Sequence, residues 1–202
     1  MPDVVSEADP RRRERRLRRW LGRTFLRTLG WELEGDRPNV RRAVVIAYPH
    51  TTNWDLPLTI ACAYALDVDI RWLGKKAIFK KPYGWLFRRL GGIAVDRTRS
   101  TNLVDAVVDA IGPMEDVLVV IPPEGTRGKA GRWKSGFYWI ARGAELPIIL
   151  GFLDFKRRRG GLGEVFEPTG DIHEDFDAIR AFYDGMEGKY PDKQGPITLV
   201  DD

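Results

Sequence analysis

Cys62 is the only cysteine of the chain, so neither a disulfide framework nor a multi-cysteine metal site is open to it. Histidine is nearly as scarce: His50 and His173 are the only two imidazoles. No apolar stretch approaches the ~18 residues of a membrane-spanning helix. The opening residues run into arginines without the 7–15 apolar residues, roughly, that a secretory signal needs. Hydrophobic residues at 43% and charged residues at 31% lie near globular norms, which excludes wholesale disorder, collagen and coiled coil. A chain of 202 residues reads as one domain, able to bury about 70% of the surface its unfolded form exposes without any staple. The expectation is a cytoplasmic protein, soluble or peripheral on the cytoplasmic membrane face.

Charge is distributed unevenly. Residues 11–27 hold nine arginines against Glu14, whereas residues 171–202 carry nine acids against Arg180, Lys189 and Lys193. Leu17, Trp20, Leu21, Thr24, Phe25 and Thr28 recur at helical spacing among those arginines. One apolar stripe with a cationic opposite face is the pattern of a helix lying in an anionic membrane interface. A helix packed on the domain, with its arginines solvated, is the other reading.

Strand-length apolar runs at Ala43–Tyr48, Val68–Leu73, Ile93–Val95, Val117–Ile121 and Pro147–Leu153 alternate with helical patterns. The helices are expected from Asn53 to Leu66, after Pro82, from a Ser100 or Thr101 cap to Ile111, over Trp133–Arg142, and after an Asp171 cap. Leu56, Ile60, Ala63 and Tyr64 are the buried candidates of the first. This alternation predicts an α/β fold: a single layered domain with a largely parallel central sheet flanked by helices, preceded by a basic amphipathic N-terminal helix. The expected organisation is a disordered tail over 1–10, the basic helix over 11–30, the main domain over 31–190 and a frayed tail over 191–202.

His173 sits in the acidic stretch and reads as a solvated surface residue. His50 differs, because it follows a strand end, where ligands bind in open α/β sheets. Asp55 lies five residues on, and Pro57 must fall in the first turn of the following helix, so Asp55 sits at or near the N-cap. The chain can then fold back to bring Asp55 to one ring nitrogen, leaving the other free to take a proton. Pro123-Glu124-Gly125-Thr126-Arg127 follows the buried strand Val117–Ile121. There Gly125 permits a tight turn, Arg127 offers a planar fork for a phosphate, and Glu124 can accept hydrogen bonds from hydroxyls. Lys75, Lys76, Lys80, Lys81, Arg88, Arg89 and Arg97, with Trp72, Phe79, Tyr83 and Trp85 interleaved, suit an anionic amphiphile. Cys62 falls on an apolar helix and reads as core.

Together these residues resemble the glycerolipid acyltransferase family of lysophosphatidate-acyltransferase (PlsC) type. His50 and Asp55 match its His-x4-Asp motif. Gly91 or Gly92 through Asp96 and Arg97 matches its Gly-x-x-x-x-Asp-Arg motif. Pro123 through Arg127 matches Phe-Pro-Glu-Gly-Thr-Arg-Ser, and Leu146-Pro147-Ile148-Ile149 loosely matches the fourth. The order is that of the family. Departures fall at Pro122, Gly128 and Leu150, where the family has Phe, Ser and Pro.

The resemblance implies transfer of a fatty acyl group from acyl-CoA or acyl carrier protein to a hydroxyl of a lysophospholipid-like acceptor at the membrane surface. His50 would be the general base with Asp55 as its partner, without an acyl-enzyme and without a cofactor or metal. Arg127, Lys75 and Arg97 would hold the acceptor phosphate, with Glu124 and Gly125 positioning its glycerol portion and Thr126 among the substrate-binding residues. The arginine helix, Arg11–Arg27, would meet the anionic membrane; no nucleic-acid partner is expected. Two other functions fit the same residues: a non-catalytic lipid-binding module of this fold, and a thioester hydrolase.

Overall fold

The computed structural model describes residues 10–95 and 103–199. The β-branched run Val117–Ile121 forms β5, and every one of its residues is buried, as a strand covered on both faces requires. It lies between β2 (Arg42–Tyr48) and β3 (Ile70–Lys75), parallel to both. β4 (Gly92–Val95) extends the sheet in parallel beyond β3. On the other side, β6 (Ile148–Asp154) pairs in parallel with β2. β7 (Arg159–Phe166) then runs antiparallel to β6, and β1 (Glu32–Glu34) closes that edge parallel to β7. The order is β1-β7-β6-β2-β5-β3-β4. The architecture is the expected single α/β domain.

Side chains alternate across the pleat. Val44, Ile46 and Tyr48 face a layer made by α4 (Leu103–Ile111), α5 (Gly136–Gly143) and α6 (Ile172–Tyr183). Ala43 and Val45 face α2 (Asp55–Leu66) on the opposite side. The Asp171 carboxylate caps α6 by accepting from the amides of His173 and Glu174, as its sequence position predicts. The cap expected for α4 at Ser100 or Thr101 lies outside the described residues, as do residues 1–9 of the tail expected over 1–10, whose Pro10 opens the first helix.

Two strands, β1 and β7, have no counterpart in the sequence reading. β1 is three residues long, and β7 opens with Gly160, Gly161 and Gly163, residues that argue against strand structure. Close approach explains these glycines. A Cβ on Gly161 would stand 1.8 Å from the Glu34 carbonyl oxygen, and one on Gly163 would stand 2.4 Å from the Phe182 ring.

The helix α1 (Pro10–Thr28) differs from its expected single stripe. It has three faces. Gly22 and Leu26 pack on α2, and on the same side Arg15 pairs with Asp67 and Arg18 with Asp69. Arg12, Arg16, Arg19, Arg23 and Arg27, spaced by one helical turn, form an exposed cationic face. Leu17, Trp20 and Leu21 form a third, exposed face, with Trp20 61% accessible. α2 is consequently covered on two sides. Leu58, Ala61, Cys62 and Ala65 are buried with Leu26, while Ala63 and Leu66 are buried toward the sheet. The candidates Leu56, Ile60 and Tyr64 are only half-buried: Leu56 and Ile60 pack at the margin of the sheet-side cluster, and Tyr64 lies under the Arg18 guanidinium.

Residues 191–199, expected to fray, instead pack against the domain: Leu199 is buried and bridges to Trp133. The α1–α2 contact is the easiest of these packings to test. A Cβ on Gly22 would lie 2.5 Å from the Ala61 carbonyl oxygen and 2.7 Å from the Ala65 nitrogen. Gly22→Val is therefore expected to destabilise the protein by about 1–3 kcal/mol, read as a lower urea midpoint. An unchanged midpoint would mean that α1 is not held against α2.

Candidate active site

Because β2, β5 and β3 are parallel neighbours, the segments that follow them emerge at one edge of the sheet, the edge where α/β folds bind ligands. β2 delivers His50, β5 delivers residues 122–127, and β3 ends on Lys75. Three segments distant in sequence thus converge for a topological reason.

Asp55 is the first residue of α2 and is buried. Its Oδ2 lies 3.0 Å from His50 Nδ1 and accepts the Thr52 amide at 3.0 Å. The turn is tightened further by the Thr52 hydroxyl, which accepts the Trp54 amide at 3.3 Å. With Nδ1–H donated to the carboxylate, the ring is fixed in one tautomer and Nε2 is left as the basic nitrogen. His50 and Asp55 both border a cavity of about 580 Å³, a volume usual for small-molecule sites.

The same cavity is lined by Lys75, Gly125, Thr126 and Arg127. Lys75, Thr126 and Arg127 are exposed as well, so they stand at its mouth. Gly125 has φ +66°, the left-handed region that favours glycine, and the Lys134 side chain lies against its Cα face. Deeper in, the walls are apolar, coming from α2 and from the sheet face beneath it: Ala63, Leu66, Val68, Ile70, Leu118 and Val120. Arg97 lies outside the described residues.

Glu124 does not line the cavity; it is buried under the His50 loop, where its Oε2 accepts the His50 amide at 2.7 Å. Burial pushes its carboxyl up from 4.5 to about 7, against the stabilising amides of His50 and Gly195. Asp55 and Glu124 therefore divide the work of holding His50, one on the ring and one on the backbone.

A third support has no signature in the sequence. The Gln194 amide nitrogen donates to the Tyr48 hydroxyl at 2.7 Å and to the Met186 carbonyl at 2.9 Å, while its oxygen accepts the Gly188 amide. Tyr190 donates its amide to the Thr51 hydroxyl. Segment 186–195 thus straps the loop on which His50 sits. Gln194 lies more than 140 positions from Tyr48, and a surface-type glutamine carries no local pattern that foretells such a contact.

The remaining candidates fall where the sequence placed them. Cys62 is buried on α2, and burial pushes its thiol up to about 12, far from a reactive thiolate. His173 is an exposed residue in the first turn of α6. Among the described residues, no group of three or more His, Cys, Asp or Glu side chains is placed to hold a metal ion.

A family model described as Acyltransferase matches residues 31–149. The chain belongs to the acyltransferase family. The match contains β2, β5, most of the cavity lining and every candidate residue from His50 to Arg127, whereas the lining from β6 and β7 and the strap at 186–195 lie beyond it. The fold is similar to that of a crystal structure titled 1-acyl-sn-glycerophosphate (LPA) acyltransferase, PlsC, from Thermotoga maritima. The TM-score is 0.61 at 17% identity, covering 87% of this chain and 80% of that one. No curated protein matches the sequence at a significant level.

The environment of Glu124 generates a test with a definite sign. Its folded carboxyl holds a proton more tightly than the unfolded one between 4.5 and about 7. Wild-type stability should therefore fall as pH rises through that window. Glu124→Gln, whose amide oxygen can still accept the His50 N–H, removes the titration. Its melting temperature relative to wild type is expected to be higher at pH 8 than at pH 5; an offset that does not change with pH would contradict this assignment.

Proposed function

We propose that this acyltransferase moves a fatty acyl group from acyl-CoA or acyl carrier protein to a hydroxyl of a lysophospholipid-like acceptor. The observation that carries the reading is a histidine ring oriented by a buried carboxylate at 3.0 Å, bordering a cavity that has cations at its mouth and apolar walls within. Nε2 of His50 takes the acceptor's hydroxyl proton as the oxygen attacks the thioester carbonyl. The carbon–sulfur bond then breaks, and the departing thiolate recovers the proton from the imidazolium. Asp55 stabilises that imidazolium while it exists. Neither step requires an acyl-enzyme, and the buried Cys62 thiol is poorly suited to form one.

Arg127, Lys75 and Arg97 are assigned to the acceptor's phosphate, where a guanidinium fork and ammonium groups recognise an anion. Gly125 and Thr126 are assigned to the glycerol portion beside it. Glu124 is assigned a positioning role through His50. The apolar walls between α2 and the sheet would take the acyl chain. No helix among the described residues is long and apolar enough to cross a membrane, and α1 offers exposed Leu17, Trp20 and Leu21 beside an arginine face. We therefore assign α1 to reversible contact with an anionic membrane surface on the cytoplasmic side.

The test uses labelled acyl-CoA with a total polar lipid extract, reading both free CoA and the mass spectrum of the products, with lysophosphatidate as the first single acceptor. Wild type is expected to release CoA and to yield an acylated lipid. His50→Ala is expected to lower the rate by about 10²–10⁴-fold, and Asp55→Asn to lower it substantially while the protein stays folded. CoA release without any acylated lipid would assign a thioester hydrolase. Vesicle binding without CoA release would assign a lipid-binding module.

A further inference from the structure

Between Asp69 and Asp96 the chain carries seven cations, Arg71, Lys75, Lys76, Lys80, Lys81, Arg88 and Arg89, and no acid. This stretch crosses the cavity mouth as a 3₁₀ turn, Lys76–Phe79, followed by α3 (Gly84–Arg89). Its inner side is fixed. Phe79 stacks on Trp72 with ring centroids 5.8 Å apart, Phe87 meets Trp72 edge-on at 6.1 Å, and a Cβ on Gly84 would lie 2.0 Å from the Phe79 carbonyl oxygen.

Its outer side is apolar, and no described residue covers it. Tyr83 and Trp85 are 67% and 66% accessible, with Ile78 and Leu86 exposed beside them. Scattered exposed apolar residues are ordinary, but four within nine positions, on a rigid element flanked by cations, form a patch of the kind that marks an interaction site. Ile78 and Lys75 are exposed and also line the cavity. The patch therefore borders the mouth itself.

We propose that segment 76–89 is a docking surface for an anionic lipid bilayer, separate from α1. Rings with an apolar body and a polar tip, such as Tyr83 and Trp85, settle at the headgroup level. Lysines and arginines around them match a negative leaflet. An acidic protein would satisfy the charges but would leave the outward Ile78, Trp85 and Leu86 unexplained, so the bilayer accounts for more of the surface. Phe79 belongs to the same buried cluster as Ala63 and Leu66 of α2, which places this segment on the face of the sheet that α2 covers and on which α1 is stacked. Docking here sets the cavity mouth against the leaflet, so that a lipid with its acyl chain in the bilayer reaches Lys75 without crossing water. Only that last consequence rests on the proposed acyl transfer; the docking itself does not.

The test is site-specific. Cys62 is the only native thiol and borders the cavity, so in a Cys62→Ala background an environment-sensitive dye can be placed at Tyr83→Cys, with Asp177→Cys on α6 as the control on the opposite face. With vesicles of phosphatidylcholine and phosphatidylglycerol at low salt, the dye at 83 is expected to brighten and shift to the blue while the dye at 177 keeps its aqueous emission. The combined variant Tyr83→Ser, Trp85→Ser, Lys80→Glu, Lys81→Glu should bind these vesicles at least about tenfold more weakly at an unchanged melting temperature. An aqueous signal at 83 while the protein sediments with vesicles would overturn the proposal and leave α1 as the contact. A shift at 83 produced by an acidic carrier protein, but not by vesicles, would overturn it in favour of a protein partner. Neither readout uses turnover, so failure of the acyl-transfer assay is a separate result.

Discussion

A single carboxylate oxygen, Asp55 Oδ2, joins the end of β2 to the start of α2 by accepting both the Thr52 amide and the His50 ring N–H. Hydrogen bonds to a charged acceptor contribute about 1.5–3 kcal/mol each, and here two of them offset the cost of burying the carboxylate at a helix start, where the helix dipole also favours negative charge. The ring orientation is therefore a property of how α2 begins. Glu124 supplies the complementary constraint from β5 by holding the His50 backbone, which makes the position of the ring depend on the β2–β5 pairing at the centre of the sheet.

The same layers that orient the histidine create the space beside it. α2 is spaced from the sheet widely enough to leave an apolar cavity under it, and α1 covers its other side through the close contact at Gly22. Hydrophobic burial on α2 is thus shared between two partners, and neither surface needs a dense contact with the sheet beneath the cavity. The cations gather where the parallel strands end, because β3 finishes on Lys75 and the β5 loop carries Arg127. An apolar interior with a cationic entrance follows from the topology together with these few side chains, and it suits an amphiphile with an anionic head.

Much of this arrangement was legible before any coordinates. The β-branched run Val117–Ile121 announced a buried strand. Pro57 fixed the start of α2 to within a residue or two, and the helix cap at Asp171 was readable from one side chain. The pairing of His50 with Asp55 followed from the turn that Pro57 imposes. Other features were not local. Glu124 looked like a ligand-facing residue because its loop is polar, yet its direction is decided by the His50 amide 74 positions away. The glycines of β7 carry no strand pattern, because their reason is close approach by groups distant in sequence: the backbone of β1 at Gly161 and the Phe182 ring at Gly163. Gln194 and Leu199 fall in the stretch expected to fray, and only Tyr48 and Trp133, distant in sequence, give them partners. The apolar stripe of α1 is visible in the sequence, whereas Gly22, invisible to a hydrophobicity pattern, decides which side packs.

The central claim, that Asp55 holds His50 as an Nδ1–H tautomer with a basic Nε2 toward the cavity, is tested most directly by nitrogen NMR of histidine-labelled protein. Two imidazoles give two sets of signals, and a His50→Gln variant assigns them. The account predicts that neutral His50 shows a protonated Nδ1 and an unprotonated Nε2, with Asp55→Asn disturbing that preference and leaving exposed His173 as it was. A neutral His50 that carries its proton on Nε2, or that ignores the loss of the Asp55 charge, would contradict it.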